Sequence, residues 1–160
     1  MTHAKADPAI RVERREDGSL ILIPTQPLPA GTHGSFADFL PHWAEQRGGI
    51  YALCERDAPG GWRRITWREF WDQTQAVAAA LLEMKLGQDR PLVLLSGNSI
   101  EQAVLFMAAE YVGIPTAPVS PAYSLMSRDF ARLKGVAELV PPAAIFVQSG
   151  QAFGPALAAL

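Results

Sequence analysis

Ser96-Gly97-Asn98-Ser99 is the stretch of this chain best placed to do chemistry. Hydroxyls, an amide and a glycine follow the apolar run Leu92 to Leu95 and precede a helix-forming one. A strand-to-helix turn aims backbone N–H groups at whatever lies beyond it, which suits an anion. Cradling a triphosphate takes more, namely several glycines, hydroxyls and commonly a lysine. Here a single glycine is present, no lysine, and bulky Ile100 comes next. The stretch matches neither GxGxxG nor GxxxxGK[ST]. A structural turn whose helix caps itself is the preferred reading, with an anion seat as the alternative.

Other reactive residue types are scattered. His3, His33 and His42 have no metal-ligand spacing and read as surface histidines. Arg128, Asp129, Arg132 and Lys134 form a charged group on one expected helix, with Arg128 and Arg132 four apart on one face. They could meet the phosphates of a nucleotide tail, although a solvated helix face is the simpler reading. Trp62, Trp67 and Trp71 suggest a stacking platform, but helical spacing sends the last two into the core. Cys54 is the only cysteine, which excludes an internal disulfide and a cysteine metal cluster. It is expected as a buried small hydrophobe. Arg14, Arg15 and the pair Arg63-Arg64 read as solvated faces.

Composition narrows the class further. The chain has 160 residues, 49% of them apolar, and a net charge of −2 from 14 basic and 16 acidic residues. That is enough for a sizeable core, and it leaves no electrostatic footprint for nucleic acid. The N-terminal residues lack the apolar core of a secretion signal, and no apolar run reaches membrane-spanning length. A reducing cytoplasm is the expected location.

These residues need elements to position them. Residues 1–9 read as a disordered tail, and 10–160 as part of one domain. Asp17-Gly18 between β-prone runs signals a hairpin, with both central turn positions wanting positive φ. Pro27, Pro29 and Gly31 mark a loop. Ser35 to Gln46 reads as a helix presenting Phe36, Phe39, Leu40 and Trp43 on one face, kinked or split by Pro41. Ile50 to Glu55 reads as a short strand, and Gly60-Gly61 to Ile65 as a turn leading into another. Thr66 followed by Glu69 is a capping box, opening a helix that buries Trp67, Phe70, Trp71, Thr74, Val77, Ala78, Leu81 and Met84 and stops at Gly87. Leu92–Ser96, Thr116–Ser120 and Ala143–Val147 read as parallel strands, with helices after Ser99, over Ser127 to Leu139, and from Ala152. Gly113 stops the helix after Ser99, and Gly135 interrupts the next one. The fold class is α/β, a parallel β-α-β sheet with an N-terminal β-hairpin.

Trp62-Arg63-Arg64-Ile65-Thr66-Trp67-Arg68-Glu69-Phe70 resembles the W-x-x-[IL]-T-[YW]-x-E motif of adenylate-forming acyl-CoA synthetases. Residues 108–120, Ala108-Ala109-Glu110-Tyr111-Val112-Gly113-Ile114-Pro115 to Ser120, resemble their second motif. Leu95-Ser96-Gly97-Asn98-Ser99 and Pro118-Val119-Ser120-Pro121-Ala122-Tyr123-Ser124 are similar to the feruloyl-CoA synthetase branch, as is the front hairpin. The resemblance implies the N-terminal subdomain of that fold, truncated before any ATP-binding segment. It implies a parent ligase of phenolic acid catabolism that uses ATP and Mg²⁺ to turn an aromatic or other carboxylic acid into an acyl-adenylate and then passes the acyl group to CoA.

The 160 residues themselves are expected to hold no catalytic residue and no cofactor, and to be inactive alone. The turn Ser120, Pro121, Ala122 and Tyr123 resembles one near the CoA channel of some relatives. A stand-alone anion-binding module and a non-catalytic structural remnant are the alternatives. An open sheet edge and apolar face should drive self-association.

Overall fold

The computed structural model of the chain describes residues 10–25, 34–57, 60–86 and 89–160. The expected tail over 1–9, His3, the loop around Pro27, Pro29 and Gly31, His33, and the helix stop at Gly87 lie outside them. The chain divides into two units, one carrying the N-terminal hairpin and the other spanning Ser35–Leu160.

In the first unit β1 (Ile10–Arg14) pairs antiparallel with β2 (Leu20–Pro24), Val12 opposite Leu22. The expected hairpin forms, with different turn chemistry. Among its described residues only Gly18 has positive φ, at 83°. Gly18 N–H donates to Arg15 O (3.0 Å) and Arg15 N–H to Ser19 O (2.9 Å). A β-turn followed by a left-handed bulge residue therefore replaces the two-residue loop. A hydrogen bond with the Ser19 side chain, and a second from the Ser19 N–H at 2.8 Å, hold the Asp17 carboxyl below the usual aspartate range.

The second unit opens with a 3₁₀ turn, Phe36–Asp38, capped by Ser35, and then α1 (Phe39–Gln46). The expected single helix is thus split, and Pro41 sits in the first turn of α1, where its missing N–H costs little. Leu40 and Ala44 are buried, while Phe36 and Phe39 are exposed and meet each other edge-on at 6.3 Å. The change of helix type at Asp38 breaks the periodicity that put all four apolar residues on one face.

β3 (Tyr51–Arg56) and β4 (Trp62–Thr66) form an antiparallel ribbon that leads into α2 (Trp67–Glu83). The capping box is complete. Thr66 Oγ1 accepts the Glu69 N–H (3.2 Å), and Glu69 Oε2 accepts the Thr66 N–H (2.8 Å). α2 buries Phe70, Thr74, Ala78 and Leu81, with Trp67 and Trp71 half-buried. Met84 is 57% exposed, because the helix ends there and Lys85 turns the chain at φ 51°.

Then come β5 (Leu92–Leu95), α3 (Ile100–Tyr111), β6 (Thr116–Val119), a one-turn α4 (Ala122–Leu125), α5 (Ala131–Leu139), β7 (Ala144–Val147) and α6 (Gly150–Ala158). The three strands are parallel in the order β6-β5-β7, Val93 lying beside both Ala117 and Ile145. Gly113, at φ 73°, ends α3 in a Schellman motif, in which Ile114 N–H reaches Ala109 O (2.9 Å) and Gly113 N–H reaches Glu110 O (3.2 Å). The short α4 was not legible in the sequence, and Gly135 lies inside α5 without interrupting it.

Every residue of β5 is at most 3% exposed. Leu92 and Leu94 pack with Ala78 and Leu81 of α2 and Ala108 and Ala109 of α3; Val93 and Leu95 pack with Leu133 of α5 and with Phe153 and Ala156 of α6. Two helical layers thus sandwich one sheet, each buried leucine being worth roughly 1.5–3 kcal/mol.

Thr66→Ala removes the side-chain cap of α2 and should cost about 1 kcal/mol of unfolding free energy. Urea denaturation followed by far-UV circular dichroism reads the change.

Candidate functional site

In an open parallel sheet, ligands sit beyond the carboxyl ends of the strands, where successive connections leave for opposite faces. α3, following β5, lies on one face, and α6, following the neighbouring β7, on the other. The crevice between the ends of β5 and β7 is therefore the place to look. Ser96, Gly97, Asn98 and Ser99 line one side, and Gln148 and Ser149 the other.

The groups there satisfy one another. Gln148 Oε1 accepts the Gly97 N–H at 3.2 Å and the Ser96 hydroxyl at 3.4 Å. Ser96, 4% exposed, shares its one hydroxyl proton between Gln148 Oε1 and the nearer Gly97 O at 2.8 Å. Ser99 caps α3 by accepting the Gln102 N–H (3.1 Å), and Ser149 caps α6 by accepting the Ala152 N–H (3.2 Å).

One further residue decides what the α3 N-terminus can do. Glu55, on β3, accepts the Ile100 N–H through Oε2 at 2.7 Å. A carboxylate from the chain itself thus fills the position that an external anion would take at the positive end of the helix. Arg63 of β4 clasps it, donating Nε–H to Glu55 Oε1 at 2.7 Å and bonding Glu101 Oε2 at 2.7 Å. Arg63 is exposed, as the sequence suggested, and it also ties the β3–β4 ribbon to the first turn of α3. Its hydrogen bond lowers the Glu101 carboxyl below the usual glutamate range, and the two carboxylates raise the already high value of Arg63.

Beside this latch lies a hollow of about 440 Å³, lined mainly by Leu53, Ile100, Ala103, Phe106, Met107 and Pro118. Cys54, exposed, is at its edge and not in the core as expected, because β3 is half of a two-stranded ribbon with little over its outer face.

The turn Ser120 to Tyr123 follows β6. Ser120 O accepts the Tyr123 N–H at 3.0 Å, and Pro121 O accepts that of Leu125 at 2.8 Å, which makes a compact bend into α4. Ser120 and Ala122 are exposed, while Tyr123 is half-buried with Arg132 over its ring at 5.7 Å. Arg128 precedes α5, so it shares no helix face with Arg132. Ser127 and Asp129 instead hold the bend at Phe130, which sits at φ 55°, and bonds to the Ala131 N–H and Ser127 keep the Asp129 carboxyl low. Trp62 stacks under Arg56 at 4.2 Å, apart from Trp67 and Trp71, which pack on Trp43 and Tyr111. His42 is exposed on α1. Among the described residues no group of His, Cys, Asp or Glu could hold a metal ion, and no helix is long and apolar enough to cross a membrane.

Residues 40–157 match the family model described as AMP-binding enzyme. No curated protein matches the chain. Among solved structures, a fatty acid AMP ligase from Legionella pneumophila is 13% identical with a TM-score of 0.65, over 78% of this chain and 22% of that one. The N-terminal subdomain of Klebsiella oxytoca NpsA, solved with anthranilyl-AMSN, is 20% identical with a TM-score of 0.60, over 72% of this chain and 28% of that one. VinN, solved with 3-methylaspartate, is 20% identical with a TM-score of 0.66, over 79% of this chain and 33% of that one. At these identities the likeness is one of fold, and this chain spans a third or less of each.

Glu55→Ala should uncover the Ile100 N–H and cost roughly 1–2 kcal/mol of stability. A double-mutant cycle with Arg63→Met should show coupling between the two side chains in chemical denaturation. The latch also predicts a pH dependence. With the folded Glu101 value depressed, its contribution is complete above the unfolded glutamate range and is lost as pH falls through the lowered value. Arg63→Met should flatten that acid limb in a pH series of denaturation midpoints.

Proposed function

The chain belongs to the AMP-binding enzyme family, and on that premise we propose that it is the N-terminal part of an acid–CoA ligase of the feruloyl-CoA synthetase kind. In such an enzyme a carboxylic acid and ATP give an acyl-adenylate and pyrophosphate, and the acyl group then passes to CoA. Residues 40–157 carry this reading, because one family match spans the ribbon, both helical layers and the sheet without a break. The feruloyl assignment, and with it a place in phenolic acid breakdown, rests on the sequence phrases Leu95 to Ser99 and Pro118 to Ser124.

Within the proposed enzyme these residues build a wall of the site and do no bond-making. Adenylation depends on positioning the carboxylate and neutralising the triphosphate. The crevice between β5 and β7 does not fit that task, since Gln148 takes up the Gly97 N–H and Glu55 that of Ile100. A second carboxylate, Glu101, stands on the first turn of α3. ATP and Mg²⁺ would meet acceptors there, so no step is assigned to this crevice.

Ser120, Pro121, Ala122 and Tyr123 are proposed to border the approach of CoA. The exposed Ser120 and Ala122 on a firmly bonded bend suit a surface along which a flexible pantetheine chain slides. The chain alone should bind neither nucleotide nor Mg²⁺ in this crevice and should be inactive.

Pyrophosphate release with ATP and ferulate tests the inactivity: the 160-residue chain should give none, and turnover by it would overturn the reading. In an enzyme that carries this chain as its N-terminal part, Ala122→Leu should raise the KM for CoA several-fold and leave the adenylation half-reaction unchanged. An equal loss in both steps would remove the turn from the CoA path.

A further inference from the structure

We propose that the hollow between β3 and α3 binds a small uncharged aromatic molecule carrying one N–H or O–H donor, and that Gln102 receives that donor. The site goes beyond the ligase reading and does not depend on it. All of its lining residues lie within 53–118, inside the unit that carries the sheet. Ser99, Gln102, Ala103, Phe106 and Met107 recur at three- and four-residue spacing, so they form one stripe along α3. Other faces of this helix are spent, Val104 beneath the ribbon and Ala108 and Ala109 against α2 and the sheet. Leu53 of β3 and Pro118 of β6 supply further apolar walls. Ala103 gives only a methyl group to the middle of the stripe, and a space of about 440 Å³ remains.

The chain satisfies the polar groups around this space, with one exception. Ser99 Oγ accepts the Gln102 N–H at 3.1 Å, and Glu55 is engaged by the Ile100 N–H and by Arg63. Asn98 is exposed. The Gln102 Oε1 atom is buried and has no hydrogen-bond partner. A carbonyl oxygen taken out of water costs stability until a donor reaches it. An ordered water needs two or more polar partners, and the neighbouring groups are already in use. Because Gln102 stands on the stripe that lines the hollow, a molecule filling the hollow can bring the missing donor.

The walls set the rest of the ligand's chemistry. Phe106 offers a ring and Met107 a thioether, both of which favour contact with an aromatic system. The volume is that of a small-molecule site and leaves room for a two-ring compound. Among the described residues that line it there is no Lys or Arg, while the Glu55 carboxylate borders it, so an anion meets repulsion. A cation would leave water for mostly apolar walls, with Glu55 already held by Arg63. An uncharged ring system with a single donor is what remains.

Titration of the chain, ¹³C-labelled at its Met and Ala methyl groups, with indole and with benzofuran tests the proposal. The two probes share a shape, and only indole has a donor. Indole should shift the Met107 and Ala103 methyls saturably and bind roughly tenfold more tightly than benzofuran, the ratio expected of one hydrogen bond to a buried acceptor. Met126, 83% exposed and not part of the hollow, should keep its position. Indole-3-carboxylate should bind more weakly than indole. Gln102→Met removes the acceptor at similar length; it should bring the two probes to equal affinity and leave the melting temperature unchanged or higher. If that variant does not fold, Ala103→Leu, which fills the middle of the hollow, should abolish the response to both probes. No saturable shift at Met107, an equal shift at Met126, or benzofuran binding as tightly as indole to the unaltered chain would overturn the proposal.

Discussion

Leu94 and Leu95 have no solvent exposure at all, and Leu92 and Val93 almost none. The complete burial of β5 on both faces is the constraint from which the rest of this structure follows. A strand of four aliphatic residues needs a helical layer on each side, and α2 with α3 supplies one while α5 with α6 supplies the other. Because the helices after β5 and β7 lie on opposite faces, their connecting turns part above the sheet. That parting creates the crevice, and the crevice would be a ligand site if the chain did not close it.

It is closed by side chains from distant segments. Gln148 takes up the turn after β5, and Glu55 takes up the α3 N-terminus with Arg63 holding it in place. The same contacts fasten the β3–β4 ribbon to the sheet unit. Leu40, Ile65, Phe70, Ile100 and Val104 form the apolar patch beneath that ribbon. Electrostatic latch and apolar patch together hold the ribbon against the α3 side of the sheet.

Much of this fold was legible in the sequence where the signal is local. The run Leu92 to Leu95, the Thr66–Glu69 box and the Gly113 stop each span a few residues, and all three appear as expected. What sequence could not give were the contacts between segments far apart in the chain. Arg63 looked like a solvated charge because Glu55 comes opposite it only when β3 pairs with β4, and Glu101 reaches it only when the ribbon folds onto α3. Cys54 looked like core because cysteine packs as a small hydrophobe, yet β3 has only β4 beside it and stays open on its outer side. Arg128 and Arg132 looked like one helix face until Ser127 and Asp129 delayed the helix start. For the site, the turn was found and its self-capping anticipated, whereas the residue that fills the helix N-terminus left no trace in the local pattern.

The central claim is that the sheet's carboxyl end is occupied by the chain's own groups. A two-dimensional NMR titration of the ¹⁵N-labelled chain with Mg²⁺–ATP tests it most directly. The account predicts that the amides of Gly97, Ile100 and Gln102 stay in place, and that Glu55→Ala makes the Ile100 amide responsive to inorganic phosphate. Saturable shifts of those three amides in the unaltered chain would show an open anion seat and contradict it.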